Sequence, residues 1–361
     1  MPFVLSLSKD LIRDFLGTAM FIESTGLVCS VGLTAESACA AMRAGIANFQ
    51  ELPYLDNQGE PIIGAMVPGL PPDMKRGERL GEMLAMAVAD CLKDKAIQSL
   101  ENIPILVGLA EPDRPGGGAG LVDKIFARMN EKLGLRFHPQ LSRTITAGHT
   151  SGFEGLRIAR ELFKNSEVSA CLVCGVDSYI NASSLLWLDR HQRLKTEENS
   201  DGVIPGEGAA AVLVTKRPSP NTSMAVNISG LGFAKEAATV FNEEPLLGIG
   251  LAEATKDALR EAGIQLNEAD FRISDVTGES YGFREQALSL SRVMRSRKEE
   301  FPIWHSSDSI GDIGAASGSS QLVIYWHSGR KDYFPGKKAV CYTSAVQGAR
   351  AVAITNASIP S

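Results

Sequence analysis

His149 has the best-placed side chain in this sequence for chemistry. It lies in T-I-T-A-G-H-T-S-G-F-E-G-L, Thr144 to Leu156. There an apolar strand end, Ile145 with Ala147, meets a run with helical spacing of apolar residues: Leu156, Ile158, Ala159, Leu162 and Phe163. Thr150, Ser151 and Gly152 punctuate the change. A sharp strand-to-helix turn holds one side chain beside unpaired backbone N–H groups and the positive end of a helix dipole. That setting activates a nucleophile such as cysteine. Here the residue at the turn is His149, and the dipole is expected to hold its imidazole neutral. A neutral imidazole there can cap the turn or fill a pocket, or it can accept an acyl group.

Other candidate residues are weaker. The six cysteines are scattered through apolar segments, and Cys171 and Cys174 form a C-x-x-C inside V-S-A-C-L-V-C-G-V, a predicted buried strand. With no second pair or histidine cluster nearby, core packing is expected rather than zinc or redox chemistry. Pro112 to Gly120, P-D-R-P-G-G-G-A-G, lacks both phosphate-loop and dinucleotide-loop spacing and reads as a flexible loop. No motif calls for a cofactor or a metal. Of the other histidines, His305 ends an apolar strand, and His138, His191 and His327 have no partners in sequence. The basic run Arg292, Arg295, Arg297, Lys298 reads as a solvated helix end.

The elements that must position His149 recur in a fixed order. Phe21–Ser30 is a first strand, and Thr34–Ala44 a helix with Thr34 as N-cap. Glu51–Lys75 is a long connection with room for a hairpin, Gly81–Lys95 a helix, Ile103–Leu109 a buried strand, and Leu121–Leu133 a helix. After the His149 turn come a strand at 168–177 and a glycine turn feeding another at 202–214. The second half repeats the pattern: a helix at 248–262, a strand at 272–277, a helix at 286–295, a second Gly/Ser turn with a helix from Gly314, and a strand at 338–344. Two copies of one order predict an internal duplication of α/β layers with a pseudo-two-fold, and a site where the two turns meet.

Composition bounds the rest. The chain has 361 residues, 44% hydrophobic and 22% charged, which suits a globular protein of two halves. A net charge of −6 argues against a nucleic-acid partner. No run is long enough to span a membrane, and the opening residues lack the layout of a signal peptide. A reducing, cytoplasmic compartment fits the scattered cysteines. Residues 1–19 read as an extension or arm, 20–215 as the first half and 216–361 as the second.

At this level the chain resembles the β-ketoacyl synthases, of thiolase-like fold. T-A-G-H-T-S-G-F-E-G-L followed by S-A-C-L-V-C-G-V-D resembles their nucleophile region. S-T-G-L-V-C-S-V-G-L-T-A-E resembles their first strand and turn. G-E-G-A-A-A-V-L-V, with Gly206, Glu207 and Gly208, resembles their Gly-Glu-Gly motif, and I-G-A-A-S-G their second glycine-rich helix start. The resemblance runs from about residue 20 to 355 and implies αβαβα layers in two pseudo-symmetric halves. It also implies a homodimer, paired through the strand around Ser142 to Ala147.

The family's catalytic residue types are not at the matching positions. Its cysteine falls at His149, or at Gly148 with a slip of one. Its first histidine falls at Ser280 or Tyr281, its second at Gly311 or Asp312, and its lysine at Ser306 or Asp308. Its glycine-rich gating loop falls on T-S-A-V-Q-G-A-R, residues 343–350. The implied pocket adds Gly148, Ser151 and His305. The expectation is a non-catalytic binding or adaptor protein. Its partner would be an acyl carrier protein, an active ketosynthase subunit, or an effector, as in the similar proteins associated with bacterial type VI secretion. The alternative is an acyltransferase or hydrolase using His149, with Ser280, Ser306, Ser307, Asp308 or Asp312 completing a triad.

Overall fold

The computed structural model describes residues 19–93, 100–220 and 222–358. Residues 1–18 of the predicted extension lie outside them. The described strands are β1 (Met20–Val28), β2 (Gln50–Leu55), β3 (Pro61–Gly64), β4 (Ile105–Gly108), β5 (Arg143–Ile145), β6 (Ala170–Ser178), β7 (Glu207–Thr215), β8 (Ala225–Lys235), β9 (Phe271–Ser274), β10 (Ile303–His305), β11 (Lys338–Ser344) and β12 (Ala349–Ser358). Strands β2 and β3 form the hairpin in the long connection. The other ten form one sheet in the order β10-β9-β11-β12-β8-β1-β7-β6-β4-β5.

That order is the duplication made visible. From β1 outward, β7 and then β6 pair antiparallel, and β4 and β5 follow in parallel. From β8 outward, β12 and then β11 pair antiparallel, and β9 and β10 follow in parallel. A three-residue antiparallel ladder, Met20–Ile22 against Val226–Ile228, joins the two halves. Each half presses an outer helix onto its first strand at a glycine. A Cβ on Gly26 would lie 2.0 Å from the Ala87 carbonyl oxygen, and one on Gly232 would lie 1.8 Å from that of Ala254.

Three apolar clusters define five layers. One packs helices Arg76–Leu92 and Val122–Leu133 on the outer face of the first half, through Leu80, Leu84, Ile125 and Met129. A second holds helices Ser151–Leu162 and Ser317–Arg330 between the halves, through Phe153, Leu156, Leu322 and Tyr325. A third packs helices Ile249–Ala262 and Ser280–Val293 on the outer face of the second half. Cys171 joins the inner cluster and Cys174 the outer one. Three residues apart on a strand, they point to opposite faces and cannot chelate one ion together.

Thr34 caps the helix Ala35–Arg43 in a full capping box with Ser37, as its spacing predicts. Other expectations need correction. The helix predicted from 286 starts at Ser280, and the helix after His149 starts at Ser151. Strands β8 and β12 and the helix Ala182–Arg190 were not anticipated. Residues 343–350 are no glycine-rich flap. They are the end of β11, a short turn and the start of β12. Among the described residues, no helix is long and apolar enough to cross a membrane, and no cluster of three or more His, Cys, Asp or Glu could hold a metal.

Candidate functional site

Each half carries a single 3₁₀ turn between strand and central helix: Gly148–Thr150 in the first, Gly314–Ala316 in the second. Both open on a glycine with positive φ, +54° at Gly148 and +51° at Gly314, which suits glycine far better than other residues. Both also face a carboxylate. A Cβ on Gly148 would lie 2.0 Å from Oε1 of Glu111, and one on Gly314 would lie 2.1 Å from Oδ2 of Asp177. Glu111 is 3% exposed, and neither carboxylate oxygen has a hydrogen-bond partner among the described residues. Ser151 ties the first turn together. Its Oγ accepts from the Ala147 N–H at 3.1 Å and lies 3.1 Å from the Ile145 carbonyl.

His149 is buried and spans the two turns. Its Nε2 lies 2.8 Å from Oδ1 of Asp312, which also accepts from the Gly314 N–H at 2.8 Å. The expectation of a neutral imidazole is wrong. Burial disfavours its charge, but Asp312, with lesser help from Asp275 and Glu111, outweighs burial and pushes the imidazole up to about 9. Burial likewise opposes the charge on Asp312, yet His149, the Gly314 N–H and Arg193 hold its carboxyl below the usual range. A facing carboxylate exceeds a helix dipole in strength.

Further buried pairs surround this one. Arg114 bonds Asp177, lies 4.1 Å over the Tyr179 ring, and Asp177 in turn accepts from the Ala315 N–H at 2.9 Å. Arg193 holds Glu279 with two bonds of 2.7 Å. Arg350 donates to Glu285 at 2.7 Å and to the Tyr281 hydroxyl at 2.9 Å. Desolvation pushes the Asp275 carboxyl up to about 6. The space these groups leave beside His149 is a cavity of about 50 Å³. That is room for a few waters and too little for an acyl chain.

Residues 116–219, which contain this turn, β6 and β7, match the family model Beta-ketoacyl synthase, N-terminal domain. The fold is that of the ketosynthases. An oxazolomycin ketosynthase domain from Streptomyces albus superposes with a TM-score of 0.73 at 15% identity, over 95% of this chain and 76% of that one. The ketosynthase ApeO in complex with its chain length factor ApeC, from Xenorhabdus doucetiae, gives 0.71 at 16% identity, over 94% and 98%. A ketosynthase from module 6 of the bacillaene synthase of Bacillus subtilis gives 0.74 at 16%, over 95% and 72%. Comparison with curated proteins gives no match.

Within this ketosynthase fold, the residues predicted to share one pocket separate. His149, Asp312 and Tyr281 line the small cavity. Ser280 does not: it is exposed, and its N–H and hydroxyl both bond Asp201. The helix starts at Ser280, so its neighbour Glu279 faces the cavity instead. His305, Ser306 and Asp308 line a different cavity, and the Ser307 hydroxyl donates to the Val276 carbonyl at 2.7 Å. No serine side chain bonds His149 among the described residues, because its Nε2 is held by Asp312 and its Nδ1 has no partner. Gly311 takes a φ of +66° at the end of helix Ser307–Ile310. Glu207 of the Gly206–Gly208 motif is fully buried. It accepts from Arg79 Nε at 2.8 Å, Ser178 Oγ at 3.0 Å and the Val67 N–H at 2.9 Å.

All six cysteines are buried. Burial pushes Cys29 up to about 11 and Cys171 and Cys341 up to about 12, and raises Cys39 and Cys174 as well. Glu111, Arg114, Arg193, Asp275, Glu279 and Arg350 were missed from sequence. Arg114, Arg193, Asp275, Glu279 and Arg350 sit in loops or at element ends and bond partners 63 to 86 residues away, while Glu111 has no hydrogen-bond partner among the described residues.

Proposed function

We propose that this protein is a non-catalytic member of the ketosynthase fold that acts by binding other proteins. One observation carries the reading. At the turn where a thiolate would be sharpened, the chain has Gly148 packed on Glu111 and His149 locked to Asp312. Acyl transfer needs a nucleophile with a free lone pair and a base to activate it. A protonated, ion-paired imidazole has neither, and the neighbouring cavity, at about 50 Å³, is too small for a long acyl chain. The positions Ser280, Tyr281, Gly311 and Asp312 then serve packing and pairing, which also weighs against a hydrolase built on His149.

A protein-binding role has support among the neighbours, which include ketosynthases solved with a chain length factor or an acyl carrier protein. The partner class proposed here is an active ketosynthase subunit, a carrier protein or an effector. The link to type VI secretion adaptors is the finer form of the last case and rests on resemblance. A cytoplasmic homodimer is part of the same proposal. Strand β5, inside the segment Ser142 to Ala147, ends the sheet among the described residues and would pair with its counterpart across a two-fold. Sedimentation equilibrium of the full chain, alone and with proteins encoded by adjacent genes, tests this. A dimer that binds one of them at a fixed ratio is expected. A monomer without partners at micromolar concentration contradicts it.

A further inference from the structure

A second cavity, of about 500 Å³, shares no lining residue with the one beside His149. It lies between helix Ala35–Arg43 of the first half and β9, β10 and helix Ser317–Arg330 of the second. Met42, Ile273, Ile303, Trp304 and Ile324 form the apolar part of its wall, and Arg43, His305, Ser306, Asp308 and Tyr333 the polar part. Its size and lining match those of small-molecule sites, which are mostly apolar with a few polar groups that fix orientation.

Two groupings of polar side chains are defined in the lining, Arg43 with Tyr333 and His305 with Asp308. Arg43 is exposed, and its guanidinium lies 4.3 Å over the ring of Tyr333. Among the described residues it has no carboxylate within ion-pair distance. Asp308 is mostly solvent-facing and is turned to His305, 3.5 Å from Nδ1. The cavity therefore offers hydrocarbon-compatible walls and one unpaired permanent cation. Arg43 also complements the C-terminal end of its own helix, which accounts for its place in the last turn but not for the apolar volume beside it.

We propose that this cavity binds a small amphipathic carboxylate, with its hydrocarbon part against Met42, Ile273 and Ile324 and its carboxylate on Arg43. A guanidinium pairs a carboxylate through two parallel bonds, and the apolar walls exclude ligands that are polar throughout. Such a ligand touches both halves of the chain and would stabilise their joining. The site is independent of the His149 turn and of the binding role proposed above.

Titration calorimetry of the full-length protein with decanoate, below the concentration at which it forms micelles, tests the site. Saturable binding at one per chain is expected, with decanol binding at least tenfold more weakly. Arg43→Glu should weaken decanoate binding at least tenfold, and Arg43→Lys should restore part of it. Ile324→Trp, which puts an indole into the space assigned to the hydrocarbon part, should weaken it as well. Arg43 is on the surface, so its variants test the proposal even if the core variant fails to fold. No saturable binding to the wild type overturns the site, as does binding unchanged in Arg43→Glu. Equal binding of decanol and decanoate overturns the assignment of the carboxylate to Arg43.

Discussion

His149 Nε2 and Asp312 Oδ1 face each other at 2.8 Å, and the two residues belong to different halves of a duplicated chain. The pair clamps the two strand-to-helix turns together, since the same carboxylate oxygen also takes the Gly314 N–H. Removing one member leaves a buried charge uncompensated. His149→Ala should therefore cost about 3–5 kcal/mol, measured by urea denaturation. The double variant His149→Phe/Asp312→Asn should lose less than the sum of the two single changes. Additive losses would show that the two groups do not interact.

The pair also sets a pH dependence. The folded-state pKa of His149 is raised from 6.5 to about 9, so the native state binds this proton more tightly than the unfolded chain does. Its contribution is complete below about pH 6.5 and is lost as the pH rises through about 9. The difference in midpoint stability between wild type and His149→Gln should shrink over that window. A difference that is constant from pH 6 to 10 would mean that folding does not shift the pKa of the imidazole.

Gly148 carries a testable steric demand. Gly148→Cys, which puts a thiol at the turn, places Cβ against the Glu111 carboxylate at a φ of +54°. The variant should lose at least about 2 kcal/mol. Adding Glu111→Ala should recover part of that loss and speed alkylation of the new thiol by iodoacetamide. If Gly148→Cys alone is as stable as wild type and alkylates as fast as the double variant, Glu111 does not occupy that space.

Arg79 and Glu207 join helix Arg76–Leu92 to the start of β7, and Glu207 is fully buried. Arg79→Met leaves its carboxylate unpaired and should cost about 3–5 kcal/mol. Arg79→Met/Glu207→Gln should cost less, because the remaining amide is neutral. The melting temperatures of the two variants decide the order.

Much of the fold was legible because its signals are local. Thr34 and Ser37 announced a helix start, β4 and the first seven residues of β6 are apolar runs, and the order of elements repeated. Strands β8 and β12 were hidden because glycines and alanines dilute their pattern. Gly232 is there for close approach to Ala254, a relationship only the tertiary structure shows. The site was half legible. The turn at His149 was readable, but the protonation of the imidazole depends on Asp312, 163 residues away. Arg114 belongs to the loop 112–120 that spacing alone marked as flexible, and Glu111 directly precedes it, yet both are buried.

The turn at Gly148 and His149 is expected to carry no acyl group. Intact-mass spectrometry of the protein after incubation with acetyl-, malonyl- and octanoyl-CoA measures this directly. An unchanged mass is expected with each thioester. A stoichiometric acyl adduct that maps to His149 or to one of the six cysteines, and disappears when that residue is replaced, would contradict it.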